Sequence, residues 1–565
     1  MSDVPPDDDA VHLKTPRLSW QERLDARRSV GVPLDPTVEA LDAVPAYPTR
    51  YLPDRLLVTR PDQLSELTRR LQEAASEFGW SVVENRVAGE EQPPGPDVDS
   101  EAGPVPPDLA PIDPDMQPGA VRRVRIYRDP KIGKDDQPVP PIDAWRVLQR
   151  ARARVLREAS ETGSADAVDE TEDAQASKGG LALLENVGLD HVLTLDPYPR
   201  TNPYPRTNPY PRTNPYVNGP GSETYAEPGS GGRQVVDFVG AAPRETTKPS
   251  ATGRRPRVAI LDTGCGRHRW LDSVVTRLSE PPTSIGITDP DTDPETHGDV
   301  LGPYDGYLDE AVGHGTFIAG IVRQICPDAE IVAVRVADAD GTVIEGELIE
   351  ALDALLDWND ATGGKLDVLN LSLGYYHETP TRTLFDRALA DLLTRARRSG
   401  IAVVCSAGNE STDRPAFPAA LWQWRGAGFT LEGADDGAPH ISVGALNPNR
   451  SMALFSNLGP WVRTYAPGAS VLSTFPKLNG DVQPGTRDEE WGVLRETIDP
   501  DDFAAGFAIW SGTSFAAPDV AAALANALVE PLAKGPVDVA ERVRLLRAAE
   551  KSIVKANRKR GPIAV

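Results

Sequence analysis

The chain has 565 residues and carries 84 acidic against 59 basic side chains, a formal net charge of −25. A surface this negative repels phosphate backbones and anionic bilayers, which excludes nucleic acid and membrane as expected partners. The 3 cysteines, Cys265, Cys326 and Cys405, show no CxxC spacing, so neither a disulfide framework nor a thiolate zinc site is expected and buried thiols are.

Residues 1–50 are polar and proline-rich and read as a flexible arm. They show neither a basic n-region nor an apolar h-region, and no apolar run of about 18 residues occurs in the chain, so a cytoplasmic protein without membrane spans is expected. Residues 51–196 read as a compact α+β unit. An apolar strand lies near 55–59 (RLLVT), followed by a helix over 62–77 with Leu64, Leu67 and Leu71 at helical spacing. Strands follow at 80–84 and 121–127, then a helix over 142–158 with Trp145, Leu148 and Val155 on one face, then a strand near 190–195. The order βαββαβ suits a ferredoxin-like sheet covered by two helices. Proline- and acid-rich stretches at 87–120 and 161–179 read as loops.

Between residues 198 and 215 the hexamer YPRTNP occurs three times in succession. Its prolines exclude helix and central strand, so an extended spacer is expected and 197–254 is read as a linker. From 255 to 565 the texture changes. The runs RVAIL (257–261), IVAVRV (331–336), DVLNLSL (367–373) and IAVVC (401–405) alternate with helical patterns at 314–325, 346–358 and 383–398. This alternation predicts an α/β domain, a parallel sheet with crossover helices on both faces.

Functional groups in such sheets gather at the carboxyl ends of the strands. RVAIL ends in Asp262-Thr263-Gly264, IAVVC runs into Ser406-Ala407-Gly408-Asn409, and GHGTFIAGIV places His314 at the start of a helix. In SGTSFAAP (511–518), Gly512 and Thr513 permit a tight turn, Ser514 opens a helix whose unpaired N–H groups favour negative charge, and Pro518 falls in the first turn. Of the competing histidines, His297 lies in an acidic turn-rich loop and His268 reads as a surface residue.

Taken together, D-T-G, H-G-T, A-G-N and S-G-T-S-x-A-x-P, in this order over about 255–530, resemble the subtilisin-like serine protease family. The resemblance implies a subtilisin-like fold and a serine endopeptidase acting on protein or peptide substrates. Ser514 would be the nucleophile, His314 the general base and then acid, and Asp262 the group that orients the imidazole. The Asn409 amide and the Ser514 N–H would form the oxyanion hole. Ser372, Leu373 and Gly374 would form one substrate-binding edge and Gly341 the other, clamping an extended peptide.

Catalysis of this kind requires no cofactor. The family's frequent use of structural calcium makes the loop 289–299 a candidate site, with Asp289, Asp291 and Asp293 as ligands, although a solvated acidic loop accounts for the same residues. Long insertions at 268–312 and about 477–508 are expected near the active-site face. Many family members carry a βαββαβ propeptide, so 51–196 is expected to inhibit or assist folding, with LTLDPY (193–198) a candidate for the cleft. The alternatives are a peptide ligase or cyclising transamidase using the same acyl-enzyme, and a non-catalytic binding scaffold.

Overall fold

The computed structural model describes residues 31–59 (except 43), 63–84, 122–128, 139–162, 184, 186–195, 233–302 (except 238), 308–379, 387–431, 437–478, 487–496 and 503–560. The YPRTNP repeats, the 87–120 interruption and most of 161–179 lie outside them.

The N-terminal unit contains β1 (Val32–Pro33), β2 (Arg50–Val58), α1 (Leu64–Ser76), β3 (Trp80–Glu84), β4 (Arg122–Arg128), α2 (Ala144–Thr162) and β5 (Val187–Thr194). From β2 onward the order is βαββαβ, and the strands pair antiparallel in the order β5-β2-β4-β3. The helical spacing of Leu64, Leu67 and Leu71 puts them on one buried face, against Trp145, Leu148 and Val155 of α2. Residues 31–50 differ from the expected arm. Val32 and Pro33 pair with Tyr51 and Arg50, Leu34 is buried, and Trp145 Nε1 donates to Val38 O at 2.9 Å. The polar composition there hides a few apolar anchors that long-range partners cover.

The second unit contains β6 (Gln234–Val235), β7 (Arg257–Asp262), β8 (Val275–Arg277), α3 (His314–Ile325), β9 (Glu330–Arg335), β10 (Thr342–Ile344), α4 (Glu345–Ala361), β11 (Val368–Leu371), α5 (Arg387–Arg398), β12 (Ala402–Ser406), β13 (His440–Leu446), β14 (Thr464–Pro467), β15 (Val471–Thr474), β16 (Arg487–Glu490), β17 (Val493–Glu496), β18 (Phe507–Trp510), α6 (Thr513–Lys534) and α7 (Val539–Arg560). Seven strands form a parallel sheet in the order β14-β13-β12-β11-β7-β9-β8. Alternate residues serve opposite faces, as the period of two requires. Ala259, Leu261, Leu369, Leu371, Val403 and Cys405 pack toward α4 and α5. Val258, Ile260, Val368, Ala402 and Val404 pack toward α3 and α6.

Residues 233–254 also depart from the expected linker. Arg233 is buried and donates to the carbonyls of Leu308, Asp309, Glu310 and Val312. β6 pairs with β18, Thr246 and Thr247 bind Asp328, and Arg254 pairs with Asp367 at 2.6 Å. Short polar contacts of this kind leave no hydrophobic period to read. The two units share a sheet, because β10 pairs antiparallel with β5 at its outer edge.

Candidate active site

Strand parity brings the site together. Asp262 continues the Val258 and Ile260 face, so its carboxylate points toward α3, where His314 is the first residue. His314 Nδ1 lies 2.7 Å from Asp262 Oδ1, and both side chains are buried. The same oxygen accepts from Thr263 N at 2.8 Å, so the acid is anchored from its own backbone. Asp262 sits beside the point where the chain order reverses, between β11 and β9, the usual place for a ligand in such a sheet.

The helix start is crowded. Gly313, its N-cap, has φ 79°, and a Cβ there would meet the Phe475 ring at 2.3 Å. At Gly315 a Cβ would lie 2.1 Å from Gly264 O, so only glycine lets the DTG turn approach the helix. The imidazole is walled by Trp510 and Phe515, with centroids at 5.7 and 5.2 Å. His314 Nε2 is buried without a hydrogen-bond partner.

Ser514 is the second residue of α6, whose N-cap is Gly512. Its Oγ donates to Ser372 O at 3.3 Å, and Ser372 Oγ donates back to Ser514 O at 2.9 Å. Asn370 Nδ2 supports Ser372 Oγ at 3.0 Å. Asn409 Oδ1 accepts from Thr513 N at 2.9 Å and from Thr513 Oγ1 at 2.8 Å. Both partners are donors, so the amide orientation is chemically determined and Nδ2 is the opposite, donating end. The structure thus brings Asp262 and His314 into contact, and joins Ser514 to Asn409 through Thr513.

The two expected substrate edges hold the end of the N-terminal unit. Thr194 and Gly374 exchange backbone hydrogen bonds at 3.0 Å, and Leu195 N donates to Gly341 O at 2.7 Å. Leu373 is buried beneath. The pairing is antiparallel, so β5 advances along 374 toward 372, whose carbonyl accepts Ser514. Leu193–Leu195 therefore lie between the edges, and the rest of LTLDPY lies outside the described residues. Ser514 itself has 0% exposure.

Two expectations are to be compared with the structure. Asp289 and Asp293 use their carboxylates in local turns, accepting from Asp291 N and Glu295 N at 3.0 Å each. Asp291 stands in that same short turn. Among the described residues, His191, His377 and Glu378 form a group that could hold a metal ion. His268 is buried, not superficial, and burial lowers its pKa to about 4. The thiols are buried as expected, and burial pushes Cys265 up to about 12, far from a reactive thiolate.

Sequence reasoning missed Glu295 as a partner of the His314 helix. It also missed His191, which sits between Glu345 Oε2 at 2.5 Å and Glu378 Oε2 at 2.7 Å. Neither belongs to a local motif; each acquires its partners from distant segments.

A buried carboxylate on an imidazole and a hydroxyl at a helix start, all at one end of a parallel sheet, form the constellation of a nucleophilic hydrolase. Residues 253–552 match the model of the subtilase family, and the chain belongs to that family. It is similar to the minor extracellular protease Epr of Bacillus subtilis (strain 168), 26% identical over 41% of this chain and 30% of that protein. It is similar also to an intracellular serine protease of Paenibacillus polymyxa, at 27% over 50% of this chain and 68% of that one. The major intracellular serine protease of Bacillus subtilis (strain 168) matches at 26% over 48% and 68%.

Proposed function

We propose that this protein is a serine endopeptidase held latent by its own N-terminal unit. The observation that carries this reading is the buried Asp262–His314 pair, packed against Phe515, the residue that follows Ser514, with β5 lying along the edge that leads to the serine. A protein or peptide substrate would take the place of β5 and pair with the same two edges. Ser514 Oγ would attack the scissile carbonyl while His314 Nε2 takes its proton and later passes it to the leaving amine. Asp262 would hold the Nδ1–H tautomer and stabilise the imidazolium. Charge developing on the carbonyl oxygen would meet Asn409 Nδ2 and the Ser514 N–H at the positive end of α6. Among the described residues no helix is long and apolar enough to cross a membrane.

The test is labelling of the full chain by a fluorophosphonate probe, with Ser514→Ala as control, followed by mass analysis of cleaved peptides. Labelling confined to Ser514, with water added across the cut bond, supports hydrolysis. Product joined to an added amine in place of water would favour the ligase, and absence of labelling in a folded sample freed of its N-terminal region would favour a non-catalytic scaffold.

Docking of the N-terminal unit is supported by a buried charge cluster. Both ring nitrogens of His191 face carboxylate oxygens, and between two ionised carboxylates only the imidazolium can donate to both. Burial alone would lower its pKa, but Glu345 and Glu378 outweigh burial and hold it well above 6.5. Leu193 and Leu195 add apolar burial, roughly 1.5–3 kcal/mol each. A raised pKa in the docked state means that this stabilisation is complete below 6.5 and is lost as pH rises through the docked value. Removing one partner of a buried pair costs about 3–5 kcal/mol. His191→Gln is therefore expected to speed fluorophosphonate labelling of the full chain by at least about tenfold and to remove its acceleration at alkaline pH. Equal rates for the two chains across pH would contradict the latch.

A further inference from the structure

The long segment between Asp262 and His314 carries a carboxylate that the roles above leave unused. Glu295 is 4% exposed and meets only donors. Its Oε1 accepts from Thr263 Oγ1 at 2.6 Å, Gly315 N at 3.1 Å and Thr316 N at 3.3 Å, and its Oε2 accepts from Thr316 Oγ1. Four donors and no acceptor are the surroundings of a carboxylate anion. Burial, with Asp293 and Asp262 nearby, pushes its pKa up, and the hydroxyls of Thr263 and Thr316 oppose that shift.

The acidic loop is built to aim this group. Asp293 accepts from Glu295 N at 3.0 Å and from Thr296 Oγ1 at 2.8 Å. Arg335, whose backbone lies opposite Asp262 across β7 and β9, donates to Asp289 O at 2.8 Å and Thr292 O at 2.6 Å. The loop is thereby fastened to the strand end that presents the acid.

We propose that Glu295 is a positioning residue for the Asp262–His314 pair, acting through the Thr263 hydroxyl and the first turn of α3. A helix cap alone would need only Gly315 and Thr316. Glu295 also reaches Thr263, whose Oγ1 accepts from Gly315 N at 2.8 Å and has two acceptors for its single proton. Glu295 Oε1 is at 2.6 Å and Asp262 Oδ1 at 3.3 Å. By taking that proton, Glu295 leaves Asp262 Oδ1 to the Thr263 N–H and the imidazole. Without the carboxylate the hydroxyl turns to Asp262 and competes with His314. The negative charge also favours the imidazolium and lies at the positive end of α3.

This inference rests on the reading of Asp262 and His314 as the proton-transfer pair, and its test has a readout independent of turnover. Glu295→Gln keeps the shape and most acceptor contacts, so it is the variant to compare with the unaltered full chain, with Glu295→Ala as the severe form. Two quantities are measured: kcat and KM on a peptide substrate, and the His314 pKa from its low-field Nδ1 proton resonance. Glu295→Gln is expected to lower kcat about tenfold with KM little changed, and to lower the His314 pKa by roughly one unit. Unchanged kcat and pKa, with only a lower melting temperature, would reduce Glu295 to a helix cap and overturn the proposal. A shifted resonance in a chain that shows no turnover even when freed of its N-terminal region would uphold the positioning role while defeating the protease reading.

Discussion

Replacing Ser514 by alanine is expected to lower kcat by a factor on the order of 10⁴–10⁶ while the chain stays folded. The hydroxyl is the only group at this position able to form the acyl bond, and α6 does not depend on it. Its donation to Ser372 O is a long contact of 3.3 Å. The reciprocal bond from Ser372 Oγ goes to the Ser514 backbone and survives the substitution. The measurement is burst and steady-state hydrolysis on the same peptide, with thermal unfolding run in parallel. Turnover within tenfold of the unaltered chain would remove Ser514 from the chemistry. The remaining rate reports what the oxyanion donors and substrate binding contribute alone.

Asn409 should show the next largest effect. Loss of a side-chain donor to the oxyanion costs on the order of 10²–10³ in kcat, about 2.7–4 kcal/mol, with little change in KM because the charge exists only in the transition state. Two variants separate this role from packing. Asn409→Ala also strips Thr513 N and Oγ1 of their acceptor, so it loosens the start of α6 as well. Asn409→Asp keeps an acceptor for Thr513 but cannot donate from its other oxygen. Both are expected to lose at least the donor's share of kcat. An Asp variant with normal kcat would place the oxyanion elsewhere.

Much of the catalytic half is legible in the order of its amino acids. The expected helix over 314–325 coincides with α3, and RVAIL, DVLNLSL and IAVVC fall on β7, β11 and β12. These strands are continuous apolar runs because both of their faces are covered, a local signature of a central parallel strand. In the N-terminal unit the βαββαβ order is equally readable from Leu64, Leu67, Leu71, Trp145 and Val155. The arm and the linker misled because a few anchors, Leu34 and Arg233 among them, outweigh a polar composition once partners arrive from far along the chain. The acidic loop is of another kind. Its alternating carboxylates read equally as a calcium site or a solvated loop, and only the fold shows that Asp293 closes a local turn and that Glu295 reaches α3.

Asp262, His314, Asn409 and Ser514 stand out as candidates in the sequence because each lies at the end of an element that a handful of neighbouring residues specifies. Their mutual geometry is another matter. It depends on strand parity across a sheet whose order departs from chain order, which sets Asp262 on the α3 face. The pairing of β5 with β10, the imidazolium of His191 between Glu345 and Glu378, and the reach of Glu295 to Thr263 are tertiary facts of the same kind. Each joins segments whose separation along the chain leaves no periodicity or spacing to detect. Burial then gives these contacts their strength, since a carboxylate withdrawn from water must find its donors within the fold.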